Sequence, residues 1–168
     1  MTEQFPYKAI LIVCSVNTAR SPMAEGYFRH IFNELGLEIG LYSAGVASNA
    51  RDGMLISLDA HLVMKEEGII LPSNSKSIDL KRHQNLLNGI DLVLTLTNKH
   101  KSQVLNLNGE INADIFTFRE FAGESGDIKD PSMKGTVGFR KARNEIKHCI
   151  IKGLQHWFDK EQLTSIIQ

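Results

Sequence analysis

Cysteine, net charge and long apolar runs are what this chain has least of. Two cysteines in 168 residues, Cys14 and Cys149, are too few for the disulfide framework of a small secreted domain. Nineteen Lys and Arg balance nineteen Asp and Glu, so no global basic field argues for nucleic acid or an anionic membrane surface as partner. No apolar run is long enough for a signal anchor or a membrane span, and the stretch from Met1 to Lys8 is polar. No His/Cys/Asp cluster has metal-ligand spacing, so neither metal nor cofactor is expected. Repeats, linkers and composition breaks are also missing, and the length suits one domain over residues 1–168 with a sizeable core.

What is present is concentrated between Ala9 and Glu25. The run Ala9-Ile10-Leu11-Ile12-Val13 is short, apolar and rich in β-branched residues, the pattern of a parallel strand buried on both faces. Ser21 and Pro22 suit a helix start, serine as N-cap and proline at the first helical position, where its missing N–H costs nothing. The loop between strand and helix carries one thiol, Cys14, and one guanidinium, Arg20, with five residues between them.

That arrangement has a chemical logic. A loop that wraps from a strand end into a helix N-terminus turns backbone N–H groups inward as a nest for a tetrahedral oxyanion. Ser15, Val16, Asn17, Thr18 and Ala19 would form this nest, with Ser21 at its exit. These six are the candidate substrate-binding residues. The nest and Arg20 favour a thiolate on Cys14, and a guanidinium binds two phosphoryl oxygens at once, which a lysine cannot do. The chemistry that fits is attack of Cys14 on phosphorus, a covalent phosphocysteine and its hydrolysis by water, with Ser21 hydrogen-bonded to the departing thiolate. A catalytic thiol also requires a reducing compartment, which makes the cytoplasm the expected location.

The stretch from Val13 to Glu25, with Cys14, Arg20, Ser21 and Pro22 in this order, closely resembles the phosphate-binding loop of the low-molecular-weight protein tyrosine phosphatases. That family includes bacterial protein-arginine phosphatases and thioredoxin-coupled arsenate reductases. The resemblance implies a four-stranded parallel sheet in the order 2-1-3-4, flavodoxin-like and flanked by helices, with the loop following the first strand. It implies a phosphorylated protein as substrate and inorganic phosphate or another oxyanion as a ligand of the loop. It also implies that Ser43, in Ser43-Ala44-Gly45, supports the loop through hydrogen bonds.

Along the rest of the chain, Ala24, Tyr27, Phe28, Ile31, Phe32 and Leu35 recur at helical spacing up to Gly36, and Leu37, Ile39 and Leu41 alternate as a second strand. Met54, Leu55, Leu58 and Leu62 predict a second helix ending at Gly68, with a short helical patch at Leu86-Leu87. Asp91 to Thr97 reads as a third strand, with Asn98 capping a third helix that ends near Gly109. Ile115, Phe116 and Phe118 mark a fourth strand. Strands alternating with helices imply a parallel sheet. Phe139, Ala142, Ile146, Cys149, Ile150, Gly153 and Trp157 line one face of a last helix. On this reading Cys149 is packing, Arg140, Lys141, Arg143 and Lys147 are a solvated face, and His100 and the other five histidines lie on the surface.

A leaving oxygen or nitrogen must be protonated, and a carboxylic acid on a loop above the site can do this and then deprotonate the attacking water. Asp130, in Asp130-Pro131 within the Gly-rich stretch 119–136, is the candidate, and its late position matches the family's general acid. Four departures from the family pattern stand out. Ser132 and Met133 follow Asp-Pro where relatives carry an aromatic wall. Val16 replaces a glycine and would be strained at positive φ, and Ala19 replaces a second cysteine. Asn74 stands near the place of a histidine that braces the loop. The leading expectation is a phosphotyrosine phosphatase. Protein-arginine phosphatase is the alternative because of Thr18, and an arsenate reductase or a non-catalytic phosphate-binding module are the lesser ones.

Overall fold

The computed structural model describes residues 4–167; residues 1–3 and 168 lie outside the described part. The apolar run forms β1 (Ala9–Cys14), the inner strand between β2 (Gly40–Gly45) and β3 (Leu92–Thr95), with β4 (Asp114–Thr117) beyond β3. All pairings are parallel and the order is β2-β1-β3-β4, as the resemblance implied. Burial on both faces explains the unbroken hydrophobicity of β1. Ile10 and Ile12 face one core with Tyr27, Phe28, Phe32 and Ile146, while Leu11 and Val13 face a second core with Leu80, Leu87 and Val104.

The first core is closed by α1 (Arg20–Glu34), α2 (Leu58–Lys65), α5 (Gly135–Leu154) and α6 (Lys160–Ile166). The second is covered by α3 (Asn98–Leu105) and by the short 3-10 turns Leu80–Arg82 and Gln84–Leu87. The predicted stripe of α1 is buried from Ala24 to Phe32, Leu35 is a half-buried cap beyond the helix end, and Gly36 follows with φ +70°, a conformation only glycine adopts without strain.

Several boundaries move. Residues 54–57 are extended and not helical, because Leu55 bridges Lys76 and Ser77 donates to the Met54 carbonyl at 2.7 Å. The helix starts at Leu58, and its buried face is Ala60, Val63 and Met64, leaving Leu55, Leu58 and Leu62 exposed. Thr97, not Asn98, caps α3 by accepting from the His100 amide at 3.1 Å, and that helix ends at Leu105. Phe118 opens a one-turn helix, α4 (Phe118–Phe121), closed by a reciprocal Thr117–Glu120 capping box. The last helix is not simply solvated on its basic side: Arg143 is buried and donates to the Val63 carbonyl and to Glu66, which also receives two bonds from Arg140.

Candidate active site

Cys14 is the last residue of β1, and residues 15–19 turn directly into α1. Carbonyls outside the loop's interior set its shape. Val46 donates to the Cys14 carbonyl at 3.0 Å, Ala47 to Ser15 at 3.0 Å and Ser57 to Thr18 at 2.8 Å. In a trans peptide the N–H opposes the C=O of the same unit. Holding those three carbonyls outward therefore turns the amides of Ser15, Val16 and Ala19 into the loop, where an oxyanion would meet them.

The nucleophile candidate is buried and hydrogen-bonded. Cys14 Sγ receives the Asn17 amide at 3.2 Å and lies 3.0 Å from Ser21 Oγ. Ser21 does not cap α1. The helix already starts at Arg20, so Ser21 falls in its first turn and its hydroxyl is directed at sulfur. The residue at positive φ is Asn17, at 64°, not Val16. Asparagine tolerates this region far better than a β-branched residue, so Val16 carries none of the anticipated strain. The Asn17 carboxamide then fastens the turn: its Nδ2 donates to Ser21 Oγ at 2.7 Å and Ser43 Oγ at 3.0 Å, and its Oδ1 accepts from the Ile78 amide at 3.0 Å. Ser43 and Ser21 thus both accept from the Asn17 carboxamide. The Ile78 amide braces Asn17 directly, and no hydrogen bond joins Asn74 to the loop among the described residues.

Gly45 ends β2 against this loop. A Cβ at Gly45 would stand 2.6 Å from the Ser15 carbonyl oxygen and 2.9 Å from Val16 Cα. Those are backbone atoms that no rotamer change can clear. Gly45→Ala should displace the nest, cost about 1–3 kcal/mol of stability and weaken phosphate binding, read by thermal melts with and without inorganic phosphate. Unchanged phosphate-induced stabilisation would contradict this.

Arg20 is buried and spans two loops. Its Nη1 donates to the Ile128 carbonyl at 2.8 Å, its Nη2 to Ser15 Oγ at 3.0 Å, and Nη2 lies 4.0 Å from Asp130 Oδ2. Asp130 is about half exposed, with the Ser132 amide donating to Oδ1 at 2.9 Å. Burial acts to raise the pKa of Asp130, but hydrogen bonds from Ser132 and the charge of Arg20 outweigh it, and the carboxyl lies below its ordinary value. Two segments of chain thus supply the candidate groups: one loop carries Cys14 and Arg20, and a distant one brings Asp130 to Arg20. Met133 beside them is fully exposed, at φ 71°, and no aromatic residue follows Pro131.

A histidine also departs from its expected place. His100 is not on the surface: it is 3% exposed, and its Nε2 lies 2.8 Å from Ser15 Oγ. Burial first, and then Arg20, push its pKa down to about 4. The cap-and-helix pattern Thr97-Asn98-Lys99-His100 was readable, but nothing local tells that the first turn of α3 abuts the loop.

Cys149 is fully buried in α5, with Arg119 Nη1 3.5 Å from its sulfur, and burial pushes the thiol up to about 11. Such a thiol is a poor nucleophile and cannot readily resolve an oxidised Cys14, while Ala19 removes a partner within the loop. Prolonged peroxide should drive Cys14 to sulfinic and sulfonic acids, with activity lost and not restored by dithiothreitol. Full recovery, or a Cys14–Cys149 disulfide by mass spectrometry, would refute this. Among the described residues no cluster of three or more His, Cys, Asp or Glu is placed to hold a metal ion, and no helix is long and apolar enough to cross a membrane.

Comparison with known proteins decides the family. Residues 9–163 match the model of the family described as low molecular weight phosphotyrosine protein phosphatase. The chain belongs to that family. A protein-arginine-phosphatase from Geobacillus stearothermophilus is 35% identical over 86% of this chain and 92% of its own length. A low molecular weight protein-tyrosine-phosphatase, PtpB, from Staphylococcus haemolyticus (strain JCSC1435) is 32% identical over 85% and 95%. The crystal structure of a low molecular weight protein tyrosine phosphatase from T. tengcongensis superposes with a TM-score of 0.79 at 36% identity, covering 88% of this chain and 98% of that one. The protein is a cysteine-dependent phosphatase of this low molecular weight type.

Proposed function

We propose that the protein hydrolyses phosphorylated side chains of proteins, phosphotyrosine first, with Cys14 as nucleophile, Arg20 as phosphoryl ligand and Asp130 as general acid and base. The observation that carries this reading is that the Cys14 thiol, held by the Asn17 amide, shares one loop with Arg20, whose Nη2 bonds Ser15 beside Cys14 and lies 4.0 Å from Asp130 Oδ2. The Cys14 thiolate attacks phosphorus, the bond from phosphorus to the leaving oxygen breaks, and Asp130 gives that oxygen its proton. Water then attacks the phosphocysteine, Asp130 takes the proton of the water, and the sulfur leaves beside the Ser21 hydroxyl. The inward amides and Arg20 bind the equatorial oxygens through both steps. A phosphorylated protein is the partner, inorganic phosphate is the product ligand of the loop, and a reducing cytoplasm keeps Cys14 competent.

Phosphoarginine is the second reading, favoured by Thr18. This residue is half-buried in the loop, and its hydroxyl makes no hydrogen bond with any described residue. A hydroxyl there can pair with a guanidinium or with a water beside it, whereas an isoleucine would leave the guanidinium donors unpaired. Unpaired buried donors cost about 1–3 kcal/mol, enough for a tenfold preference or more. The exposed Ser132 and Met133 in place of an aromatic wall point the same way. Arsenate reduction needs cysteines to relay a disulfide, and Ala19 with the sealed Cys149 does not provide them.

Paired phosphotyrosine and phosphoarginine peptides test the assignment. Turnover of phosphotyrosine supports it, and turnover of neither peptide overturns it. Thr18→Ile should shift the ratio of specificity constants toward phosphotyrosine by about tenfold. An unchanged ratio would mean that the Thr18 hydroxyl takes no part in selection.

A further inference from the structure

Ser15 Oγ stands between two donors-in-waiting, Arg20 Nη2 at 3.0 Å and His100 Nε2 at 2.8 Å. A hydroxyl has one proton and two lone pairs. Arg20, which only donates, fills one lone pair. What fills the other depends on which nitrogen of His100 carries its proton.

The far side of the ring supplies the answer. His100 Nδ1 is sealed from solvent and has no hydrogen-bond partner among the described residues. A proton on Nδ1 would be a buried N–H with no acceptor, the rarer and more costly of the two ways to leave that atom unpaired. A bare Nδ1 leaves only a lone pair unmatched, and Nε2–H then donates to Ser15. Protonating both nitrogens would add a cation next to Arg20, with Asp127 and Asp130 the acidic and Lys99 the further basic group acting on the ring; its pKa of about 4 keeps it neutral at physiological pH. With both lone pairs of Ser15 filled, its own O–H has no acceptor among the described residues and is left for a ligand.

We propose that His100, as the Nε2–H tautomer, acts with Arg20 to fix the Ser15 hydroxyl as a hydrogen-bond donor to the oxyanion bound in the loop. His100 is a positioning residue: it touches Ser15, and Ser15 touches the anion. The cap formed by Thr97 on the His100 amide, 3.1 Å long, holds the ring in the first turn of α3 for this purpose. The proposal rests on the reading of residues 14–20 as a phosphoryl cradle, but not on which phosphoprotein is the substrate.

The test has two arms. In wild-type protein carrying 15N-labelled histidine, NMR at neutral pH should show His100 Nε2 protonated and Nδ1 bare; a proton on Nδ1 overturns the proposal. In the second arm, His100→Leu and Ser15→Ala should each weaken competitive inhibition by inorganic phosphate about tenfold, the scale of one charge-assisted hydrogen bond. The double variant should lose no more than either alone, and His100→Gln, which keeps an N–H near the Nε2 position, should recover most of the affinity. Additive losses, or a glutamine variant as weak as the leucine one, refute it. The NMR arm stands even if a variant fails to fold. If phosphate binds as described and neither phosphopeptide is turned over, the functional reading falls and this one survives.

Discussion

Cys14→Ser should abolish turnover of a small aryl phosphate while inorganic phosphate still binds. The substitution keeps an oxygen near the sulfur position, so the Asn17 amide and the Ser21 hydroxyl, 3.2 Å and 3.0 Å from Sγ, retain a partner and the loop keeps its shape. Chemistry is what fails. A sulfur nucleophile attacks phosphorus more readily than an alcohol oxygen in the same place, which is also the poorer leaving group in the second step. Where a covalent nucleophile has been removed from a hydrolase, kcat fell by about 10⁶-fold, and a loss approaching that scale is expected. Phosphate binding survives because Arg20 and the inward amides do not depend on sulfur. The measurement is steady-state turnover beside isothermal titration with phosphate. Wild-type rates from the serine variant would sink the phosphocysteine mechanism, and lost phosphate binding would show that sulfur shapes the cradle.

Asp130→Asn should slow hydrolysis by about 10²-fold or more, the usual scale for loss of a general acid. The loss should be largest for poor leaving groups, because a leaving oxygen stable as an anion needs no proton. Asp130 also sets a sign for pH dependence. In the free protein its pKa is held below the ordinary carboxyl range by Ser132 and Arg20, and kcat/KM reports the free enzyme. A general acid works only while protonated, so wild-type kcat/KM should fall as pH rises through that lowered pKa. The asparagine variant should lack this descending limb. A bound phosphoryl dianion offsets the charge of Arg20, 4.0 Å from Asp130 Oδ2, and lets the carboxyl pKa rise, so kcat should hold to higher pH than kcat/KM. Equal limbs in wild type and variant would assign the proton to another group.

The strand and first helix were legible in the sequence because each rests on local chemistry, an unbroken apolar run and a stripe at helical spacing, although the Ser-Pro pair put the helix start at Pro22 and the helix begins at Arg20. Asp130 could be placed near the other two groups only through the family resemblance, since nothing local brings residue 130 back to residue 14. The misreadings share a physical origin. Ser21 looks like a cap, but in the fold its hydroxyl is drawn to Cys14 and Asn17. Leu55, Leu58 and Leu62 look like a core stripe, yet packing against α5 selects Ala60, Val63 and Met64. Arg143 looks solvated, but a carbonyl of α2 and Glu66 compensate its burial. His100 depends wholly on which helix turn meets the loop. In each case a side chain of ambiguous preference was assigned by a partner distant in sequence.

Arg20 leads to a statement about time and heat rather than contacts. Two bonds, to Ile128 and Ser15, hold the guanidinium in place and leave three of its five N–H donors for a ligand. A free arginine side chain loses up to about 2 kcal/mol of rotamer entropy when immobilised, and here that ordering is complete before any anion arrives. Phosphate capture should then proceed in a single kinetic phase whose observed rate rises linearly with concentration, with no plateau from a slow closing step. Its heat should be favourable, little diminished by ordering of the protein. Small tetrahedral dianions that fit the preset fork should gain most from it, while a larger or planar anion of equal charge would have to displace Ile128 or Ser15 to bind.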